Sequence, residues 1–102
     1  MGNPRRHPKL LGAKLLTIRE FLNVSQADMA TKLQLEVLSY SRWEYQIDPA
    51  RVSDYEKGKR EPNLFVIIAY GRLGNVHLES MADDYVTVET FRLRLGREGY
   101  GR

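Results

Sequence analysis

The residues able to do covalent or metal chemistry in this chain are few and scattered. Cysteine is absent, and the two histidines, His7 and His77, stand far apart along the chain. Neither thiolate nor paired-imidazole ligation of zinc is therefore expected, and disulfides are excluded. A chain without thiols suits a reducing cytoplasm. Asp83 and Asp84 are adjacent carboxylates, an arrangement that at a helix end is usually solvated rather than catalytic. Gly71 and Gly74 do not follow a strand pattern, so they do not form a phosphate-cradling loop. This inventory leads us to expect no catalytic residues, no metal, no cofactor, no small-molecule substrate and no enzymatic activity.

Charge offers a different chemistry. The formal net charge is +3, a mild bias whose distribution says more than its size. Residues 1–24 carry Arg5, Arg6, Lys9, Lys14 and Arg19 against Glu20 alone, and residues 85–102 carry Arg92, Arg94, Arg97 and Arg102 against Glu89 and Glu98. Two basic ends favour an anionic partner, because each phosphate neutralised by a cation releases a counterion. Solvated tails would carry the same charges.

The elements that must position these groups can be read from periodicity. The chain has 102 residues, 42% of them hydrophobic, enough for one domain with one modest core. No apolar run approaches the roughly 18 residues of a membrane span, and no apolar stretch follows the basic N-terminus, so a soluble, cytoplasmic protein without a membrane partner is expected. Residues 1–8, with two prolines and a glycine, read as a flexible basic arm. Leu11, Leu15, Ile18 and Leu22 form one helical stripe, with Asn23 as its stop. Ser25 is a candidate N-cap with Asp28 three residues on, and Ala27, Ala30 and Leu33 follow in a short helix. Residues 34–47, with Tyr40, Trp43 and Tyr45, fit helix and strand alike. Asp48-Pro49 is an N-cap followed by an N1 proline, opening a helix to Lys57 with Val52 and Tyr55 inward and Gly58 as its end. Pro62-Asn63 opens a helix with Leu64, Ile67, Ile68 and Leu73, stopped near Gly74-Asn75. His77 to Ala82 make a last short helix. From Asp84 a strand reading and a short helix capped by Thr87, with Val88, Phe91 and Leu95, both fit; we favour the helix. Gly96 to Arg102 reads as flexible. The fold class expected is all-α, a five-helix bundle.

Taken in order, these elements resemble the lambda-repressor-like, or Cro/Xre, helix-turn-helix family. The resemblance rests on Arg19, on Ser25-Gln26 opening the second helix, on Ala30-Thr31-Lys32-Leu33 within it, on Ser53-Asp54-Tyr55-Glu56-Lys57-Gly58, and on Lys59-Arg60-Glu61-Pro62. It covers roughly residues 10–84. In the family about seven residues separate the helix-two leucine from the apolar position opening the later motif. From Leu33 that spacing lands on Tyr40, and Tyr40-Ser41-Arg42-Trp43-Glu44 imitates the motif too. Two registers for the recognition helix therefore compete, about 36–45 and 49–57. The second has an N-cap, an N1 proline and an unbroken run into Gly58 and Pro62. It is preferred, and it makes residues 34–47 an insertion ahead of the recognition helix.

The resemblance implies a domain over residues 9–84, with residues 85–102 as a C-terminal tail able to serve dimerisation. It implies a repressor-like transcriptional regulator that binds double-stranded DNA sequence-specifically, as a homodimer. On the preferred register Ala50, Arg51, Ser53, Asp54 and Lys57 face the DNA, with Arg51 suited to the paired acceptors of guanine and Asp54 to cytosine or to restraining Arg51. Ser25 and Gln26 would stand at a phosphate, Lys59 and Arg60 would hold the backbone, and Arg5, Arg6 and Lys9 would form a DNA-contacting arm. Arg19 and Glu56 are implied to be a structural ion pair between the first and third helices. Trp43, Tyr40 and Tyr45 suit a core or interface better than base stacking. The alternative function is a protein-interaction module, or an antitoxin-type helix-turn-helix protein that binds a partner protein. The balance of residues 48–61, with Asp48, Asp54, Glu56 and Glu61 against Arg51, Lys57, Lys59 and Arg60, speaks for it.

Overall fold

The computed structural model describes residues 8–42 and 44–98. Over these the protein is all-α, with α1 (Leu11–Leu22), α2 (Gln26–Tyr40), α3 (Pro49–Lys57), α4 (Leu64–Gly74), α5 (Leu78–Ala82) and α6 (Val88–Arg94), and no strand. No helix among the described residues is long and apolar enough to cross a membrane. The expected basic arm lies outside the described residues except for Pro8.

α1 buries its stripe of Leu11, Leu15 and Ile18, and Asn23 stops it in the left-handed conformation at φ 58°. Its first turn has no cap of its own. The Asp84 carboxylate, from the α5–α6 connection, accepts instead from the backbone N–H of Lys9 (2.9 Å) and Leu10 (3.1 Å), satisfying donors that a helix N-terminus leaves unpaired.

α2 starts where expected, with the Ser25 hydroxyl accepting from the Asp28 N–H at 3.0 Å. It does not stop after Leu33. Met29, Leu33 and Val37 are fully buried and Tyr40 packs against the core; this 29-33-37-40 spacing is one continuous helical stripe. The ambiguous segment thus divides. Residues 34–40 are helix, and at Ser41 the backbone turns extended (φ −130°, ψ 146°). The second copy of the motif, beginning at Tyr40, therefore starts on the last residue of α2 and is not a helix of its own. The stretch before α3 is held by Ile47, 6% exposed, whose N–H donates to the Gln34 side-chain oxygen at 2.7 Å.

α3 has the predicted signals. The Asp48 carboxylate accepts from the Arg51 N–H at 2.8 Å, Pro49 opens the first turn, and Gly58 ends the helix at φ 75°. Asn63 caps α4 through the Val66 N–H at 3.0 Å. Here the inward stripe is corrected: Val66, Ala69 and Tyr70 are buried, Ile67 and Leu73 only partly, and Leu64 is 59% exposed. Leu64 stands in the first turn, beyond the reach of the core.

The ambiguous C-terminal segment forms a helix, with the Thr87 hydroxyl accepting from the Thr90 N–H. Phe91 and Leu95 join the single hydrophobic core built by α1 to α5, so residues up to Leu95 are part of the same packed unit. Gly96 to Glu98 are tied down as well, contrary to the flexible reading. The Gly96 N–H donates to the Gly74 carbonyl at 2.7 Å, the Glu98 N–H to the Asn75 carbonyl at 3.2 Å, and the Glu98 carboxylate accepts from the His77 N–H at 2.7 Å, at the start of α5.

Candidate nucleic-acid interface

The inner side of α3 is fixed by one polar network. Arg19 of α1 donates from Nε to Glu56 at 2.6 Å and from Nη2 at 3.2 Å, and a third donor, Nη1, reaches the Val24 carbonyl at 3.0 Å. Gln26, in the first turn of α2, donates to the same Glu56 carboxylate at 3.1 Å. Three helices therefore meet on one carboxylate whose side chain is 6% exposed. The hydrogen bond to Glu56 pushes the Arg19 guanidinium above its ordinary pKa. The ion pair implied for Arg19 and Glu56 is present. Gln26 is a member of the same network, a role the sequence did not suggest.

Gly12 sets how close α1 comes to α3. A Cβ built there would lie 2.7 Å from the Glu56 carbonyl oxygen and 3.0 Å from that of Tyr55. Only a residue without a side chain permits this approach.

With Val52 and Tyr55 turned inward, Ala50, Arg51 and Lys57 are exposed and Ser53 and Asp54 half-buried. No Arg51–Asp54 ion pair forms among the described residues. The Arg51 guanidinium lies instead beside the Tyr55 hydroxyl; burial pushes that hydroxyl's pKa up, and the charges of Arg51 and Arg60 oppose the shift. Past Gly58 the Asp54 carbonyl accepts from the N–H groups of Lys59 (2.9 Å) and Arg60 (3.3 Å), a closed helix end that fixes the backbone carrying two exposed cations. Ser25 spends its hydroxyl on the α2 cap. Lys9 is exposed at the start of α1, beside the α3–α4 turn. Arg5 and Arg6 lie outside the described residues.

Lys14 changes the charge reading. By sequence it belongs to the basic N-terminal end, yet its side chain is fully buried. Its ammonium donates to the carbonyls of Ser80 and Asp83, both at 2.8 Å, and lies 5.6 Å from the centre of the Phe91 ring. Burial lowers its pKa, against the pull of Asp84 and Asp83. The signal was legible: residues 11, 14, 15 and 18 share one helical face, so Lys14 stands on the apolar stripe. Arg94 is likewise engaged, with Ser80 at 2.9 Å. Exposed cations remain on α3, the α3–α4 turn and Lys9, and as many others stand elsewhere, at Lys32, Arg42, Arg72, Arg92 and Arg97. Among the described residues no group of three or more His, Asp or Glu could hold a metal ion.

The fold class these helices define is all-α. Comparison of the chain with known protein families, with curated proteins and with solved structures finds no match.

Proposed function

We propose that this protein is a lambda-repressor-like helix-turn-helix transcriptional regulator that binds double-stranded DNA sequence-specifically, with α2 and α3 as the helix-turn-helix pair and α3 as the recognition helix. The observation that carries the reading is the Glu56 network. It clamps the inner side of α3 to α1 and α2 through Arg19 and Gln26 while the opposite side stays exposed. A helix held rigidly at its back and bare at its front is suited to a major groove. Arg51 then reads bases with Ala50, Ser53 and Asp54 around it, and Lys57, Lys59 and Arg60 grip phosphates without reading sequence. Ser25 and Gln26 stand at the α2 N-terminus, where helix amides favour a phosphate. The connection 41–48 is a long turn for such a pair, braced by Ile47.

One short helix reads only a few base pairs, so the reading includes a repressor-like homodimer on a two-fold site. The outer side of α5, α6 and the connection between them, where Tyr85 is 97% and Leu93 69% exposed, is the surface assigned to it. A cytoplasmic protein follows from this role.

Selection of bound sequences from a random duplex pool tests the proposal. An enriched motif is expected, with discrimination at one base pair lost in Arg51→Ala. Failure to bind random duplex even at low salt would sink it. A protein-interaction or antitoxin-type role has one observation in its favour: Leu35 and Leu38 on α2 are 62% and 51% exposed, more apolar surface than DNA contact needs. Capture of a partner protein without DNA would support that second reading.

A further inference from the structure

Between the start of α1 and the α3–α4 turn the surface opens into a cleft of about 390 Å³. That lies at the small end of the roughly 300–1,000 Å³ typical of ligand pockets. The tight approach at Gly12 brings α1 against the carbonyls of Tyr55 and Glu56 on one side of it. Pro8 and Pro62 add rigid apolar wall, and Lys9, Lys57, Lys59 and Arg60 line it with positive charge. Its two acids are Glu56, engaged by Arg19 and Gln26, and Glu61, beside four cations.

Both rims are set before any ligand arrives. Asp84 holds the Lys9 and Leu10 amides, and the Asp54 carbonyl holds those of Lys59 and Arg60. Cations on a fixed backbone lose less freedom when they engage an anion. A guanidinium beside ammonium groups matches phosphate, which takes paired hydrogen bonds from arginine.

We propose that this cleft is a phosphate-binding site, with Lys9, Lys59 and Arg60 gripping the phosphate and Pro8 and Pro62 flanking the organic group attached to it. For Lys59 and Arg60 the site rests on the phosphate role already proposed for them on DNA; it adds Lys9 and the proline walls, and it needs only a phosphate, whether or not α3 reads bases. The phosphate belongs either to a nucleic-acid backbone or to a small phosphorylated molecule.

The test is a titration of the full chain with inorganic pyrophosphate at constant ionic strength, followed by amide chemical shifts. Saturable shifts are expected at Lys9, Gly12, Gly58 and Lys59. Lys9→Gln with Arg60→Gln should weaken binding about tenfold, at about threefold per exposed cation. Arg92→Gln with Arg97→Gln removes the same charge from α6 and the residues after it and should leave binding unchanged. Shifts that never saturate, or an equal loss in that control, would reveal diffuse attraction to a basic surface and overturn the site. Displacement of pyrophosphate by duplex assigns the phosphate to the nucleic-acid backbone; simultaneous binding assigns it to a small molecule. Saturable pyrophosphate binding by a chain that binds no duplex would keep the site and remove the DNA reading.

Discussion

At the scale of single residues, two buried polar groups have opposite standing. Lys14 has partners: its ammonium closes the C-terminal end of α5 on two carbonyls at 2.8 Å. Lys14→Met keeps the bulk and strands those acceptors. A loss of about 2 kcal/mol is expected in urea unfolding, the order of an unsatisfied buried group. Tyr70 is fully buried and its hydroxyl has no hydrogen-bond partner. Burial raises its pKa well above the ordinary 10.0. Above pH 10 the unfolded chain therefore releases a proton that the folded one keeps, and stability falls as pH rises. Tyr70→Phe should be neutral to about 1 kcal/mol stabilising at pH 8, with a shallower alkaline decline; unfolding midpoints at pH 8 and at a pH above 10 check it. The slope will not vanish, because burial raises the Tyr55 pKa too. A Tyr70→Phe protein clearly less stable at pH 8 would show that the hydroxyl is satisfied after all.

At the scale of helices, α1 against α3 sets the geometry of the candidate interface. Gly12→Ala pits two magnitudes against each other. Alanine improves helix propensity by about 1 kcal/mol over glycine. Its Cβ would meet backbone oxygens at 2.7 and 3.0 Å, and overpacking against atoms that cannot rotate away costs about 1–3 kcal/mol. Net destabilisation is expected, together with a displaced α3; a stabilised variant would show that α1 and α3 pack less closely. Asp84 acts between elements too. Its pKa is lowered by the Lys9 and Leu10 amides, so its contribution is present above the ordinary 3.8 and fades as pH falls through the lowered value. Asp84→Asn should lower the unfolding midpoint at pH 7, and the gap to the parent protein should close in acid. An unchanged gap would mean the carboxylate charge is not what α1 uses.

At the scale of the molecule, α6 seals the core built by α1 to α5, and one group of outward cations, Lys9, Lys57, Lys59 and Arg60, gathers around a single cleft. If that surface holds duplex DNA, Lys59→Ala should weaken binding by a similar factor on every sequence and reduce the salt dependence by about one counterion. Arg51→Ala should instead cost about 1–3 kcal/mol at one base pair. Fluorescence anisotropy across a salt series separates the two, and equal effects on all sequences in both variants would remove Arg51 from base reading.

Local chemistry determined much of this in advance. Ser25, Asp48, Asn63 and Thr87 cap helices, and Asn23, Gly58 and Asn75 end them in the left-handed conformation, because caps and stops act through neighbours only a few residues away. The stripes of α1 and α3 were legible for the same reason. What the sequence did not decide depended on contacts distant along the chain. The continuation of α2 to Tyr40 needed a core for Val37, and the choice of helix for residues 88–94 needed α1 to receive Phe91. The burial of Lys14 needed the carbonyls of Ser80 and Asp83, more than sixty residues away. A charge is read as exposed until tertiary structure supplies acceptors that repay its desolvation, and here that moved Lys14 out of the basic surface and into the core.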